Sequence, residues 1–233
     1  MIKTIKYKDH DITFYDLLES GHNIDHNIIT DDLYTRPDHR FSEVTSLINK
    51  GSVVYDIGAY IGTFSIPLEI EGMEVYAFEG FPDNYKRLEK NTKPYKNIKV
   101  HLVSVSNENK SIKTQFNSCM DQKENPYREI NYRVFDDYIQ EHNIPNPDYV
   151  KIDIEGMETL ALYGMKNLLE NIRPIFQIGY HFGIDESLDG YPGFVSVSDG
   201  GFDFNSFTDL NYKVTPNLFE GWGEYLCIPN ENI

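Results

Sequence analysis

The chain has 233 residues, 40% of them hydrophobic and 14% aromatic, which excludes a disordered tail and suffices for one domain burying about 70% of its extended surface without staples. Its 37 acidic residues outnumber 21 Lys and Arg, a formal net charge of -16, and that field repels polyanions, so no nucleic-acid partner is expected. No run of 18 apolar residues occurs and Met1–Lys6 begins no apolar signal core, so no membrane partner is expected and the protein reads as soluble and cytoplasmic.

Residues from Met1 to about Glu43 form a flank expected to cap the ligand site. Its His10, His22, His26 and His39 read as surface histidines rather than metal ligands, because the stretch around His22 and His26 is loop-like. Between Ser52 and His181, short β-branched or aromatic runs alternate with stretches of helical period, the pattern of an α/β domain with a largely parallel sheet. Strands are predicted at Val53–Ile57, Glu74–Phe78, Ile98–Val103, Tyr149–Asp153 and Pro174–His181. The helix after the first strand contains Pro67 and should kink or start late. A second helix opens at Pro82 and runs to about Asn91. Lys86, Arg87, Lys90, Lys93, Lys96 and Lys99 alternate with polar residues there and read as a solvated face.

Asn117–Asn131 is polar, a surface excursion before order resumes at Val134–Ile139. After Gly156, the residues Met157, Leu160, Ala161, Gly164, Met165, Leu168 and Leu169 share one helical face, so a long helix should cover the sheet. Phe182–Phe204, rich in glycine and aromatics, reads as a lid, and Tyr212–Val214 with Glu224–Ile228 as a hairpin closing the sheet. The two cysteines, Cys119 and Cys227, stand far apart and read as free thiols. Nothing looks like a linker, so a single domain is expected over 1–233, with its core motifs in 51–181 and an acceptor-side loop and hairpin in 182–233.

The first strand runs into Asp56-Ile57-Gly58-Ala59-Tyr60-Ile61-Gly62, an acid at the strand's end and two glycines where the backbone turns and approaches a ligand. A pyrophosphate site would show Gly-x-Gly-x-x-Gly instead. Asp56 repels phosphate and favours a cation. S-adenosylmethionine fits, because its ammonium and sulfonium are positive and it lacks phosphate; the alternative is an ordinary strand-turn-helix joint. Glu79 ends the second strand, near the ~20-residue offset at which a carboxylate accepts hydrogen bonds from ribose hydroxyls. Phe81 is a candidate for the adenine face or for the core, and Ser104 for the adenine edge.

In Tyr149-Val150-Lys151-Ile152-Asp153-Ile154-Glu155-Gly156, Asp153 falls at the carboxyl end of a strand beside the first, where open α/β sheets bind ligands. Asp153 and Glu155 are two apart and project the same way if the segment is extended, although Glu155 equally suits a helix N-terminus. The fifth strand ends at Gly179-Tyr180-His181, bringing an imidazole to the same edge as a base, a metal ligand or a structural residue.

The segments VVYDIGAYIGTFS, VYAFEGFPDNYKRLEKN, RVFDDYI and YVKIDIEGMETLALYGM followed by RPIFQIGYH resemble the successive motifs of the FkbM family of S-adenosylmethionine-dependent methyltransferases. The resemblance covers about Gly51 to His181, and KIDIEGME is its most specific part. It implies a class I methyltransferase fold, a Rossmann-like, doubly wound, mostly parallel seven-stranded sheet whose last strand is antiparallel. It also implies O-methylation of a sugar, glycan or small metabolite. By position, Asp56, Gly58 and Gly62 would hold the aminoacyl part of the cofactor and Glu79 the ribose, with Asp153 bordering the transfer site. Ala59, Tyr60, Gly80, Phe81 and Ser104 complete the expected cofactor set. The chain departs from the family in having Gly80-Phe81-Pro82 where Glu-Pro is usual, and Gly179 where an acid is frequent.

An alcohol acceptor must lose a proton, and Asp153, Glu155 and His181 are the candidate bases. A second reading places a divalent ion on Asp153 and His181; the metal-free one is preferred. Tyr191, Phe194, Phe202, Phe204 and Trp222 are expected to line the acceptor pocket. Three rivals stand beside this reading. Asn146-Pro147-Asp148-Tyr149 superficially matches the Asn-Pro-Pro-Tyr of nucleic-acid amino-methyltransferases, but it precedes a strand instead of ending one. A nicotinamide oxidoreductase would need phosphate-cradling glycines in place of Asp56. A non-catalytic cofactor-binding protein would keep the fold without the transfer.

Overall fold

The computed structural model describes residues 2–17, 30, 33–34, 41–114, 127–181, 205–219 and 222–233. An N-terminal hairpin, β1 (Lys3–Tyr7) and β2 (His10–Phe14), precedes α1 (Phe41–Leu47). The Rossmann-like part then runs β3 (Val53–Ile57), α2 (Ser65–Ile70), β4 (Glu74–Glu79), α3 (Pro82–Thr92) and β5 (Ile98–Leu102). Three strands form a separate small sheet: β6 (Ser104–Ser106), β7 (Lys110–Thr114) and β8 (Arg128–Val134). The chain re-enters the main sheet through α4 (Phe135–Glu141), β9 (Tyr149–Ile152), α5 (Glu158–Tyr163) and β10 (Ile175–His181). It closes with α6 (Asn205–Asp209), β11 (Tyr212–Phe219) and β12 (Trp222–Pro229).

The main sheet has seven strands in the order β11-β12-β10-β9-β3-β4-β5. Neighbours from β10 to β5 are parallel, whereas β12 is antiparallel to both β10 and β11. From β3 the chain first builds outward through β4 and β5, then returns to β9 on the other side of β3. The crevice at the carboxyl ends of β3 and β9 is therefore the point where strand order reverses, the place where such sheets bind ligands.

Alternation along each strand supplies two cores. Val54, Val75, Tyr149 and Ile175 face one side, with the hairpin, α1 and α2. Tyr55, Tyr76, Val150 and Phe176 face the other, with α4 and α5. The hairpin is tied down through Tyr7, whose hydroxyl donates to Glu71 at 2.5 Å, and through the Tyr15 amide, which donates to Asn91 at 2.8 Å. Among the described residues no helix is long and apolar enough to cross a membrane.

Several expectations change. The third strand stops at Leu102; Ser104 starts β6, which pairs with β8 at Tyr132. The polar stretch before Val134 is not all excursion, since Arg128–Asn131 pairs with β7. The helix after Gly156 is broken: α5 ends at Tyr163, because Gly164 packs so tightly on the Ser106 carbonyl that a Cβ would overlap it, and a π-type turn (Leu168–Ile172) follows. The apolar face survives the break, with Ala161, Leu162, Met165, Leu168 and Leu169 all buried. Pro67 sits in the first turn of a late-starting α2, where its missing N–H costs nothing. Arg87 leaves the solvated face; it is buried, with its guanidinium 5.2 Å from the Tyr60 ring centre. Cys119, His22, His26, His39, Tyr191, Phe194, Phe202 and Phe204 lie outside the described residues, as do the side chain of Trp222 and the stretch read as a lid; Cys227 is a buried free thiol.

Candidate active site

Three neighbouring strands of the parallel half carry acids at or just past their carboxyl ends: Asp56, Glu79 and Asp153. Asp56, fourth in β3, stands in register with Lys151 of β9, so both side chains rise on one face. Asp56 is wholly buried. Ser65, the first residue of α2, donates its hydroxyl to Asp56 Oδ2 at 2.6 Å, while Lys151 Nζ lies 3.8 Å from Oδ1, which has no hydrogen-bond partner. The Lys151 ammonium is also 3.3 Å from Asp153 Oδ2. Burial pushes the Asp56 carboxyl up, against the opposing pull of Lys151 and Ser65. Burial works against the Lys151 charge too, but Asp153 and Asp56 outweigh it and hold its pKa above the ordinary lysine value. Asp56 thus lies buried beneath the turn, and any effect on a ligand would be through its field.

The turn itself is built from left-handed residues. Gly58, Tyr60 and Gly62 have φ of 82°, 52° and 95°. A Cβ on Gly58 would overlap the Asp153 carbonyl oxygen, so glycine is what allows the β3 turn to cross the end of β9. The amides of Gly58 and Ala59 both donate to the Phe78 carbonyl, at 2.9 and 3.1 Å, pinning the turn to β4.

Glu79, last in β4, closes the other side. Its Oε2 accepts from the Tyr60 amide and its Oε1 from the Phe81 amide, both at 2.9 Å. One carboxylate therefore fastens the turn after β3 to the turn after β4, and the Asn84 side chain adds a further hydrogen bond to it. Burial, only partly offset by those amides, raises the Glu79 pKa to about 7. Phe81 is the N-cap of α3 and partly buried, and Gly80 presses against Ser104, whose hydroxyl a Cβ at 80 would overlap. The structure thus brings together Asp56, Gly58 and Asp153 in one group, and Tyr60, Glu79, Gly80, Phe81 and Ser104 in another.

On the acceptor side, β9 ends at Ile152, and Glu155 and Gly156 take φ of 56° and 99°. The chain after β9 is irregular at Asp153 and Ile154 and turns at Glu155 and Gly156, so the segment is not the extended one that the expected shared projection of Asp153 and Glu155 requires. Asp153 is 44% exposed in its side chain and sits against Gly179, where a Cβ would stand 3.3 Å from its Cγ. The glycine that departs from the family pattern leaves the carboxylate uncrowded. His181 ends β10 in register with Trp222, and its side chain lies outside the described residues. Among the described residues no three His, Cys, Asp or Glu come together as metal ligands would.

Three participants escaped the sequence reading. Glu158 is buried and accepts from the Ile154 amide at 3.0 Å and the Gly156 amide at 3.1 Å, which fixes the turn carrying Glu155. Ser65 holds Asp56, and Lys151 joins Asp56 to Asp153. Lys151 did give a signal: a lone charge inside an otherwise apolar strand.

A family profile for the methyltransferase FkbM domain matches residues 56–211, from the acid of β3 to the start of the closing hairpin. The chain belongs to the FkbM methyltransferase family. Its relatives include the hexuronic acid methyltransferase AglP of Haloferax volcanii, 26% identical over 139 residues, which cover 57% of either protein. Among solved structures, the methyltransferase FkbM from Methylobacillus flagellatus aligns at a TM-score of 0.52 with 20% identity, over 77% of this chain and 44% of that one. Fibrillarin from Aeropyrum pernix, solved with natively bound S-adenosyl-L-methionine, aligns at 0.51 with 11% identity, over 82% of this chain and 74% of its own. Both likenesses establish the class I methyltransferase fold. The FkbM chain described here spans just over half the length of its curated relative and under half of the M. flagellatus protein.

Proposed function

We propose that this FkbM-family chain transfers a methyl group from S-adenosylmethionine to a hydroxyl of a sugar, glycan or small metabolite. The observation that carries the reading is the crevice at the strand-order reversal, where Asp56, Glu79 and Asp153 end three adjacent parallel strands around a turn that only glycine can make at 58. The residues fit the cofactor the family implies. Asp56 keeps a buried oxygen without a hydrogen bond, and the summed field of Asp56, Glu79 and Asp153 favours a cation.

Bound there, the sulfonium supplies an electrophilic methyl group. The protein's task is alignment, and proximity with orientation supplies about 7–11 kcal/mol of a barrier. Glu79 takes the ribose hydroxyls, with Gly80, Phe81 and Ser104 bordering the adenine. The turn from Gly58 to Gly62 lies along the aminoacyl part, and Asp56 biases it electrostatically. Asp153 borders the acceptor hydroxyl, and Asp153, Glu155 or His181 takes its proton. A sugar acceptor is supported by the relative named as a hexuronic acid methyltransferase and by the acidity of the chain, which disfavours nucleic acid.

Calorimetric titration with S-adenosylhomocysteine and with NAD tests the cofactor: binding of the first and not the second is expected, and the reverse overturns the reading. Mass spectrometry across nucleotide sugars, uronic-acid glycans and hydroxylated metabolites should then find a gain of one methyl in one class. Cofactor binding with no methyl transfer to any acceptor would leave a binding protein in place of an enzyme.

A further inference from the structure

Lys151 is a buried cation in contact with two acids of the crevice. Its side chain is 15% exposed, its Nζ stands 3.8 Å from Asp56 Oδ1 and 3.3 Å from Asp153 Oδ2, and Asp56 is wholly buried. The same face of the sheet carries a second buried polar group: Tyr149 donates to Gln177 at 2.6 Å, and Gln177 donates to Glu224 on β12. Lys151 is the ammonium set between these carboxylates. We propose that Lys151 is a positioning residue that couples the two halves of the site, holding the cofactor-side Asp56 and the acceptor-side Asp153 together as charged groups.

The physical argument is one of unlike costs. Two carboxylates near each other at the end of a sheet repel, and each would shed its charge by taking a proton. One ammonium between them lets both stay ionised. It also holds Asp153, against which the bare Gly179 packs without a Cβ. Asp56 retains Ser65 if the ammonium is lost, whereas Asp153 loses the contact that links it to the cofactor side. Removing the ammonium alone leaves the wholly buried Asp56 facing a second carboxylate, whereas removing the Asp153 charge as well relieves that repulsion. The two charges should therefore behave as a unit.

This inference rests on the proposed cofactor, and a double-mutant cycle separates the two. S-adenosylhomocysteine is titrated by calorimetry into wild type, Lys151→Met, Asp153→Asn and the double variant, and each is melted. Methionine keeps the aliphatic stem and removes only the ammonium. Lys151→Met should weaken binding about tenfold or more and lower the melting midpoint by about 5 °C or more. Adding Asp153→Asn should recover a substantial part of both losses, so the effects are clearly less than additive. Additive effects, or a Lys151→Met variant that binds and melts like wild type, overturn the proposal. Should Lys151→Met not fold, a cooperative melt for the double variant supports the pairing and its absence overturns it. If wild type itself fails to bind S-adenosylhomocysteine, the cofactor reading is what has failed.

Discussion

Glu79 offers the sharpest test of the site, because one carboxylate does two separate things. It accepts the Tyr60 and Phe81 amides at 2.9 Å, joining the turns after β3 and β4, and it is the group proposed to take the ribose hydroxyls. Glu79→Gln keeps the shape but turns one acceptor oxygen into an N–H₂ donor. One backbone amide then faces another donor, and one ribose hydroxyl loses a charged acceptor. A hydrogen bond to a charged group is worth about 1.5–3 kcal/mol, which corresponds to about a 10- to 150-fold weaker dissociation constant for S-adenosylhomocysteine at pH 8.

The pH dependence carries a second, independent sign. Burial holds the Glu79 pKa at about 7, above the ordinary 4.5. Stability owed to the protonated form is therefore fully present below about pH 4.5 and lost as pH rises through 7. Ligand affinity should run the other way, rising between pH 6 and 8 as the carboxylate ionises, by up to about tenfold per pH unit below its pKa. Calorimetry from pH 5.5 to 8.5 measures both effects. An affinity in wild type that is flat with pH, or a Glu79→Gln variant that binds like wild type at pH 8, refutes the assignment of Glu79 to the ribose.

Gly58→Ala forces a Cβ into the Asp153 carbonyl at a φ of 82°; it should cost about 3 kcal/mol or more in urea unfolding, and a wild-type midpoint would show that the turn can move away from β9. Ser65→Ala removes the hydroxyl hydrogen bond to the buried Asp56 while keeping the Ser65 backbone one and should destabilise the fold by about 1–3 kcal/mol, whereas an unchanged melt would mean that Asp56 does not need the hydroxyl. Glu158→Ala frees the Ile154 and Gly156 amides; hydrogen exchange at 154–156 should accelerate by about tenfold or more, and unchanged protection would show that another group holds this turn.

The parallel half of the fold was legible because its strands are short apolar runs bounded by turn residues, and the acids at their ends break those runs conspicuously. Glu79 and Asp56 could be paired by spacing alone. The small sheet β6-β8-β7 was not legible, since Lys110–Thr114 and Arg128–Val134 carry mostly polar side chains and are organised by pairing with each other. The break in the helix after Gly156 was also hidden. Its apolar face continues smoothly through Leu169, and only the tight packing of Gly164 against Ser106, a contact between distant parts of the chain, shows why α5 stops. Within the site, carboxylates announced themselves by type, whereas Ser65, Lys151 and Glu158 act through partners that the linear sequence does not place beside them.

The energetics of the site explain why these residues are where a stability-driven sequence would put something else. Asp56 and Glu79 sit near the ends of strands whose other buried residues are aliphatic or aromatic, and burial pushes both carboxyls up. Replacing buried ionic groups by well-packed apolar ones is often neutral or stabilising. Consistency between local pattern and fold is broken here, at the carboxyl ends of β3, β4 and β9, and such breaks belong at functional sites. When ionised, Asp56, Glu79 and Asp153 make the crevice favour positive charge, and a cationic ligand answers that local excess of acid, which gives the net charge of -16 a local meaning. The same imbalance that burdens the empty protein should be relieved on binding, so the melting midpoint should rise more with S-adenosylmethionine, which carries the sulfonium, than with S-adenosylhomocysteine at equal occupancy. An equal rise would show that the crevice does not sense the sulfonium charge.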